Sequence, residues 1–239
     1  MTRYLRKVPT LESSSNILNL IDSTLSSTKV TPASLAVGGA YKRILDMAVS
    51  GAAIVLLSPI LATVAIGIKL CDGGPIFFMH QRIGFGGQPF PCLKFRTMSV
   101  DAEARLEEYL LANPQTAEEW NATQKLKKDP RLTAIGGSLR RSSIDELPQL
   151  INVLRGDMSL VGPRPVVADE MARYGRDVSY YLSARPGLTG AWQVSGRNDV
   201  SYAERVRLDV EYCATWSPIK DVLIMLRTIP VLFSGRGSY

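Results

Sequence analysis

Residues 142–165 read SSIDELPQLINVLRGDMSLVGPRP, and the parsing of this stretch decides the fold. Leu147, Leu150, Ile151 and Leu154 fall at i, i+3, i+4 and i+7, one apolar face of a helix that Gly156 can close. Pro148 fits only the first turn, where backbone N–H groups lack intrahelical partners in any case. The spacing predicts a helix starting at Asp145, or at Ser143 if the S-x-x-E pattern ending at Glu146 forms a capping box. Either start puts Asp145 at the positive end of a helix, where a carboxylate stays ionised and an anion is favoured. Two readings of the pair are open here: Asp145 and Glu146 cap a core helix, or they carry chemistry. Downstream, Pro163 and Pro165 flank Arg164 and fix its backbone, which pre-orients a planar guanidinium for bidentate phosphate binding.

The 239-residue chain is long enough for one globular body with a sizeable core. Cys71, Cys92 and Cys213 are far apart and show no metal or disulfide spacing, which suits a reduced compartment. A single histidine excludes a His cluster, and His80 sits in an apolar, strand-like run that reads as structural. Catalysis must then rest on carboxylates, Lys and Arg. The net charge of +6 suits nucleic acid, an anionic membrane surface or phosphorylated small molecules. No RNP-type aromatic motif, zinc finger or helix-turn-helix pattern is present, so nucleic acid is the weakest of the three.

Residues 1–38 are Ser/Thr-rich and predict disorder, apart from a short helix over Ile17–Leu25. Arg3, Arg6 and Lys7 resemble a signal-peptide n-region, but no apolar h-region follows at the right distance, so no export is implied. Residues 39–72 are the membrane candidate. Met47 to Ile68 carries no charge and is long enough to span about 30 Å of hydrocarbon. Ser58-Pro59 interrupts the middle, and each arm of about 11 residues reaches roughly 17 Å, enough to enter one leaflet and return. Lys42 and Arg43 before the run and Lys69 after it favour keeping both ends cytoplasmic. On the residues alone, a straight span and a re-entrant hairpin are both open.

Residues 73–239 predict a catalytic body. A β-hairpin covers 75–98, with Lys94 and Arg96 on one face of its second strand and Leu93 and Phe95 on the other. The two cations are either solvated charge or phosphate contacts. Residues 100–128 predict helix, with a stripe of Leu106, Tyr109 and Leu110, a break at Asn113-Pro114 and Trp120 as an anchor; packing, not chemistry, is assigned to them. Residues 129–141 read as a turn, a short strand and a glycine pair delivering Arg140 and Arg141 beside the acidic pair. Helices are predicted over 167–182 and 199–214. Between them a loop with a short strand, 184–198, holds Arg185 and Arg197, and its Gly187, Gly190 and Gly196 either admit a ligand's close approach or serve loop geometry. Residues 217–233 are apolar but interrupted by Lys220, Asp221, Arg227 and Pro230, which fits either an interfacial helix or a buried C-terminal one.

Arg96, Arg140, Arg141, Arg185 and Arg197 can converge with Arg164, a charge concentration that a diphosphate with a divalent cation justifies and folding alone does not. An aspartate at such a place can attack phosphorus and form a covalent intermediate, with a metal neutralising the developing charge. YKRILD (41–46), SPI (58–60), QRIG (81–84), KFRTM (94–98), the SIDELPQLINVLRGDMSLVGPRP run, RPGLTG (185–190) and SGRN (195–198) resemble the bacterial sugar transferase family, the monotopic phosphoglycosyl transferases, over about residues 40–239. More narrowly, SGRNDVSYAERV and SGRGSY are similar to the galactosyl-phosphate transferases that start exopolysaccharide assembly in rhizobia.

The resemblance implies a compact α+β fold with a small sheet and interfacial amphipathic helices, on the cytoplasmic face of the bacterial inner membrane. It implies transfer of sugar-1-phosphate from a UDP-sugar to undecaprenyl phosphate, with Mg²⁺ and release of UMP. Asp145 would be the nucleophile and Glu146 its partner in metal binding or proton handling, and both are candidate metal ligands. Arg164 and Arg197 match arginines near phosphate and uridine. Lys94, Arg96, Asp157 and Arg185 match motif positions without a settled role. Ser58-Pro59 moves the membrane reading toward re-entrant. Membrane lipids are further expected partners, a homodimer is left open, and nucleic acid is not expected. The long N-terminal segment departs from the family pattern. Glucose or an N-acetylhexosamine in place of galactose is the alternative within the same chemistry, and a non-catalytic membrane scaffold is the alternative outside it.

Overall fold

The computed structural model describes residues 36–123, 126, 128–196 and 200–234. The expected disorder before residue 36, the short helix at Ile17–Leu25 and the site residue Arg197 lie outside the described residues.

The uncharged run forms one helix, α1 (Gly39–Asp72), bracketed by left-handed glycines at 38 and 73. Pro59 lies inside it without ending it, so the break expected at Ser58-Pro59 does not divide the helix; two hydroxyls bond back to carbonyls around the proline, Ser58 Oγ donating to Val55 O and Thr63 Oγ1 to Pro59 O, each at 2.8 Å. Both ends of α1 dock on the same body. At the N-terminal end, Lys42 Nζ meets Asp221 Oδ2 at 2.6 Å, Arg43 donates to Leu154 O at 2.7 Å, and Asp46 accepts from Ser159 Oγ at 2.7 Å. At the C-terminal end, Ile68 is buried with Phe95 and Leu139, and Asp72 pairs with Arg96. Between these roots the apolar outer face is open, with Val55 75% and Leu56 78% exposed.

The hairpin forms as predicted, from β1 (Phe77–Ile83) and β2 (Pro89–Phe95), with His80 opposite Cys92. Directly opposed residues share a sheet face, so Phe78, His80, Arg82, Cys92 and Lys94 form one wall while Leu93 and Phe95 turn to the core. Helices α2 (Ala102–Ala112) and α3 (Pro114–Thr123) break at Asn113 as expected. The short strand predicted within 129–141 is only an isolated bridge, Met98 to Leu132. The glycine pair opens a helix, α4 (Gly136–Arg141), because the chain packs there too closely for a side chain: a Cβ on Gly136 would lie 2.0 Å from Thr97 O.

The central stretch gives α5 (Gln149–Arg155), closed by left-handed Gly156 as predicted. Asn152, fully buried, bonds α5 to the hairpin: its Oδ1 accepts from Leu93 N–H at 2.9 Å and its Nδ2 donates to Pro91 O at 2.8 Å. Then β3 (Ser159–Val161) pairs in parallel with β4 (Gly187–Thr189): β4 is the short strand expected within 184–198, whereas β3 and the pairing had no periodicity to announce them. The glycines belong to this crossing. A Cβ on Gly187 would sit 2.1 Å from Gly162 N, and one on Gly190 2.2 Å from Gly162 O. The backbone of residue 162, not a ligand, occupies the space that Gly187 and Gly190 leave.

The predicted 167–182 helix is broken into α6 (Ala168–Met171), a 3-10 segment and α7 (Val178–Leu182), with Gly175 at φ 51° as the kink. After α8 (Ala191–Val194), α9 (Tyr202–Ala214) is capped by Ser201 Oγ. α10 (Pro218–Ser234) combines the two expectations for the C-terminal run. Asp221 and Ile224 are buried, whereas Ile219, Val222, Leu223, Leu226 and Ile229 face outward. Its buried face joins Ala53, Ile54 and Leu57 of α1 over the main core of Leu150, Val153, Met158 and Tyr212. Among the described residues the architecture is α+β, with two two-stranded sheets wrapped by helices.

Candidate active site

Between α4 and α5 the chain passes through Ser143 at φ 56°, the one non-glycine with positive φ among the described residues. Backbone outliers of this sort persist where the surroundings over-determine them. A 3-10 turn, Ile144–Glu146, follows, and Pro148 caps α5. The predicted capping box does not form, because Glu146 N–H donates to the backbone oxygen of Ser143 at 3.1 Å, leaving no such donor for the hydroxyl. Asp145 thus precedes α5 by four residues rather than opening it, and side-chain cations set its environment.

Those cations stand around a cleft of about 740 Å³. The hairpin face supplies Phe78, His80, Arg82, Cys92 and Lys94, with Arg96 just beyond. Asp145, Glu146 and Gln149 come from the central stretch and Arg140 from α4. Arg164, Trp192 and Gln193 close one end, while Ala102, Glu103, Leu106 and Arg131 line the other. Six basic groups against three carboxylates suit a polyanionic ligand.

Asp145 is 8% exposed. Burial pushes its carboxyl up to about 6; Lys94 opposes that shift, Glu146 adds to it and Arg140 opposes it. Lys94 Nζ lies 2.5 Å from Glu146 Oε1. Burial works against its ammonium, but Glu146 and Asp145 outweigh it and hold the Lys94 pKa above its usual value. Arg140 Nε donates to Thr97 Oγ1 at 2.9 Å. Arg164 lays its guanidinium 5.1 Å from the Trp192 ring centroid, and Arg205 covers the same ring at 4.8 Å.

Six of the residues singled out from sequence therefore meet: Lys94, Arg96, Arg140, Asp145, Glu146 and Arg164. Three do not. Arg141 is exposed and donates to Ser138 Oγ at 3.2 Å, because successive helix positions face different ways. Asp157 accepts from Asn152 Nδ2 at 3.0 Å, and Arg185 donates to Gly156 O at 2.8 Å while lying over Phe85, so both brace the turn after α5. Sequence reasoning missed Arg82, Arg131 and Trp192, and it misplaced His80, which is exposed on the cleft wall rather than structural. The period-2 argument used on β2 finds His80 and Arg82 when applied to β1. α2 also does more than pack, since Glu103 and Leu106 edge the cleft.

Among the described residues no group of three or more carboxylate, His or Cys side chains gathers to hold a metal. The donor set is Asp145 and Glu146, the latter already paired with Lys94. That pair fits a hard cation that keeps waters and completes its shell with substrate phosphates, the usual manner of Mg²⁺. It does not fit a preformed all-protein cage.

A desolvated carboxylate ringed by cations is an arrangement that suits group transfer on phosphate. Residues 37–235 match the family described as Bacterial sugar transferase, and the chain belongs to that family. It is 51% identical over 203 residues to the Exopolysaccharide production protein ExoY of Rhizobium meliloti (strain 1021), covering 85% of this chain and 90% of that one. It is 48% identical over 198 residues to the Undecaprenyl-phosphate galactose phosphotransferase of Salmonella typhimurium, covering 83% of this chain and 41% of that longer protein. It is 41% identical over 206 residues to a UDP-glucose:undecaprenyl-phosphate glucose-1-phosphate transferase of Caulobacter vibrioides, covering 83% and 72%.

Proposed function

We propose that the protein moves a sugar-1-phosphate, galactose-1-phosphate in the first instance, from a UDP-sugar to undecaprenyl phosphate, as the first membrane step of exopolysaccharide synthesis. The observation that carries the chemistry is the buried Asp145 carboxyl set against Lys94 and Arg140 in a cleft with Arg164. With a pKa of about 6 it is mostly ionised at neutral pH yet poorly hydrated, the state that makes a carboxylate nucleophilic. A carboxylate oxygen of Asp145 attacks the sugar-bearing phosphorus, the bond from that phosphorus to the bridging oxygen breaks, and UMP leaves with the bonding electron pair. The aspartyl phosphosugar is then attacked at the same phosphorus by a phosphate oxygen of the lipid, and the carboxylate is regenerated. Lys94, Arg140 and Arg164 stabilise the charge on the transferred group by electrostatics fixed in advance. Mg²⁺, when bound through Asp145 and Glu146 with the diphosphate, would supply further charge neutralisation.

The docking of both α1 ends on one body supports a re-entrant helix, since such a helix keeps its ends on one side of the bilayer. The exposed apolar faces of α1 and α10 support a monotopic enzyme on the cytoplasmic face of the inner membrane. Galactose is favoured over glucose by the higher identity to the relative whose name carries galactose. A panel of UDP-sugars assayed for UMP release, with and without undecaprenyl phosphate, tests both levels. UMP released fastest from UDP-galactose agrees with the proposal. Equal rates with several donors reject the sugar, and no release from any donor rejects the enzyme in favour of a scaffold.

A further inference from the structure

In the Pro163-Arg164-Pro165 triplet, prolines carry no N–H, so Arg164 holds the one backbone donor of the three. That N–H points away from the cleft, into the core, and donates to Asp209 Oδ2 at 3.2 Å. Asp209 lies on α9 and is 2% exposed. The same oxygen accepts from Tyr174 O–H at 2.9 Å, and the other oxygen, Oδ1, is buried without a hydrogen-bond partner. We propose that Asp209, steadied by Tyr174, is a positioning residue for Arg164: it fixes the proline-flanked turn from behind so that the guanidinium stands over Trp192 at the cleft wall. This inference rests on the proposed transfer reaction.

The rest of the turn is held from other sides, which leaves Asp209 the job of fixing residue 164. Gly187 N–H donates to Pro163 O at 2.8 Å, and Gly162 N–H donates to Thr189 O at 2.9 Å, so β4 grips the residues before Arg164. Val166 N–H donates to the Tyr181 hydroxyl oxygen at 3.2 Å, and Ile83 N–H donates to Val166 O at 3.0 Å, so β1 and α7 grip the residues after it. Among the described residues α9 alone reaches the N–H in between, and α9 also carries Arg205, the second guanidinium on the Trp192 ring. One helix thus holds the backbone N–H of Arg164 and places a second guanidinium on the ring against which the Arg164 side chain rests.

A lone buried carboxylate is a costly way to accept two hydrogen bonds, and a positioning role toward Arg164 accounts for its presence there. Burial pushes the Asp209 carboxyl up to about 7, with Tyr174, the Arg164 N–H and the Arg164 charge all opposing the rise. Acceptance of the two bonds, more than full charge, is therefore what holds the turn, and an amide oxygen can do the same.

The test is a mutant cycle on donor turnover, normalised to folded enzyme. Misplacing a binding group by about 1 Å can cost about 10²-fold. Asp209→Leu is expected to lower kcat/KM for the UDP-sugar by about that factor, approaching the loss in Arg164→Ala. Asp209→Asn, which keeps an oxygen acceptor, is expected to lose no more than about threefold. The decisive comparison is Asp209→Leu placed on Arg164→Ala, where no further loss is expected, because a residue acting through Arg164 has nothing left to act on. Full multiplication of the two losses overturns the inference, as does an Asn variant as poor as Leu. If the Leu variant does not fold, Tyr174→Phe removes one of the two bonds and takes its place in the same cycle, with a smaller loss that must also vanish on Arg164→Ala. A wild-type enzyme that releases no UMP would sink the transfer reaction itself, an outcome distinct from multiplicative losses in an active enzyme.

Discussion

The Lys42–Asp221 pair ties the start of α1 to α10, and its removal should be the most damaging change outside the cleft. Lys42 is 6% exposed and Asp221 2%, and their contact is 2.6 Å. Breaking a buried ion pair by deleting one partner typically costs about 3–5 kcal/mol, because the survivor is left charged in low dielectric. Asp221 also accepts from Tyr212 O–H at 2.7 Å and Trp216 Nε1–H at 3.1 Å, so Lys42→Met leaves a carboxylate with two donors and should fall near 3 kcal/mol. Asp221→Leu leaves Lys42 with only Asp46, at 3.9 Å, and removes the acceptor of the indole N–H, so it should fall near 5 kcal/mol. The double variant removes both charges and should cost far less than the sum of about 8 kcal/mol, because replacing both partners by apolar groups is often close to neutral. Urea unfolding of the detergent-solubilised protein, or its melting temperature at about 2–4 °C per kcal/mol for a chain of this size, reads all three. Single variants within about 1 kcal/mol of wild type, or a double variant equal to the sum, would refute the assignment of this pair as the root of α1.

Other consequences can be checked as directly. Asp145 must be ionised to attack, so kcat/KM should fall as pH drops through about 6. Lys94→Met removes a charge that holds the Asp145 pKa down, so the acid limb should move toward neutral pH whatever happens to the absolute rate; a limb that stays or moves lower contradicts the role given to Lys94. Gly136→Ala would put a Cβ 2.0 Å from Thr97 O, and overpacking against backbone should cost about 1–3 kcal/mol or more in unfolding experiments; a neutral variant would mean that α4 can shift. Cys71, near the end of α1, is the exposed cysteine, whereas Cys92 and Cys213 are buried. A membrane-impermeant maleimide should reach Cys71 and an introduced Ala40→Cys from the same, cytoplasmic, side. Labelling from opposite faces would establish a span and end the re-entrant account.

The hairpin was legible in the sequence because alternation and a glycine-rich turn are local, and Lys94 and Arg96 followed from period 2. α5 and its Gly156 stop were legible from period 3.6. The β3–β4 pair was not, since three-residue parallel strands have no pattern of their own and depend on Gly162, Gly187 and Gly190 letting backbones cross. Arg141 and Arg185 were drawn into the site by proximity in sequence and by motif, but helix phase turned the first outward and the Gly156 carbonyl took the second. Asp145 was singled out by a helix-dipole argument that the 3-10 turn then removed; burial raises its pKa, and Lys94, 51 residues upstream, and the nearby Arg140 oppose the rise. Asp221 read as an interruption of an apolar helix; its partner lay 179 residues upstream, beyond the reach of any local rule.

One bond, from Asp145 to a phosphorus atom, carries the proposed mechanism, and donor alone can test it. Purified enzyme mixed with UDP-galactose and Mg²⁺, without lipid acceptor, should release UMP in a single burst stoichiometric with active enzyme. The peptide containing Asp145 should gain the mass of a hexose phosphate, and the gain should disappear in Asp145→Asn and on addition of undecaprenyl phosphate. Steady turnover with both substrates, but neither burst nor adduct with donor alone, would mean direct transfer between substrates and would contradict the account.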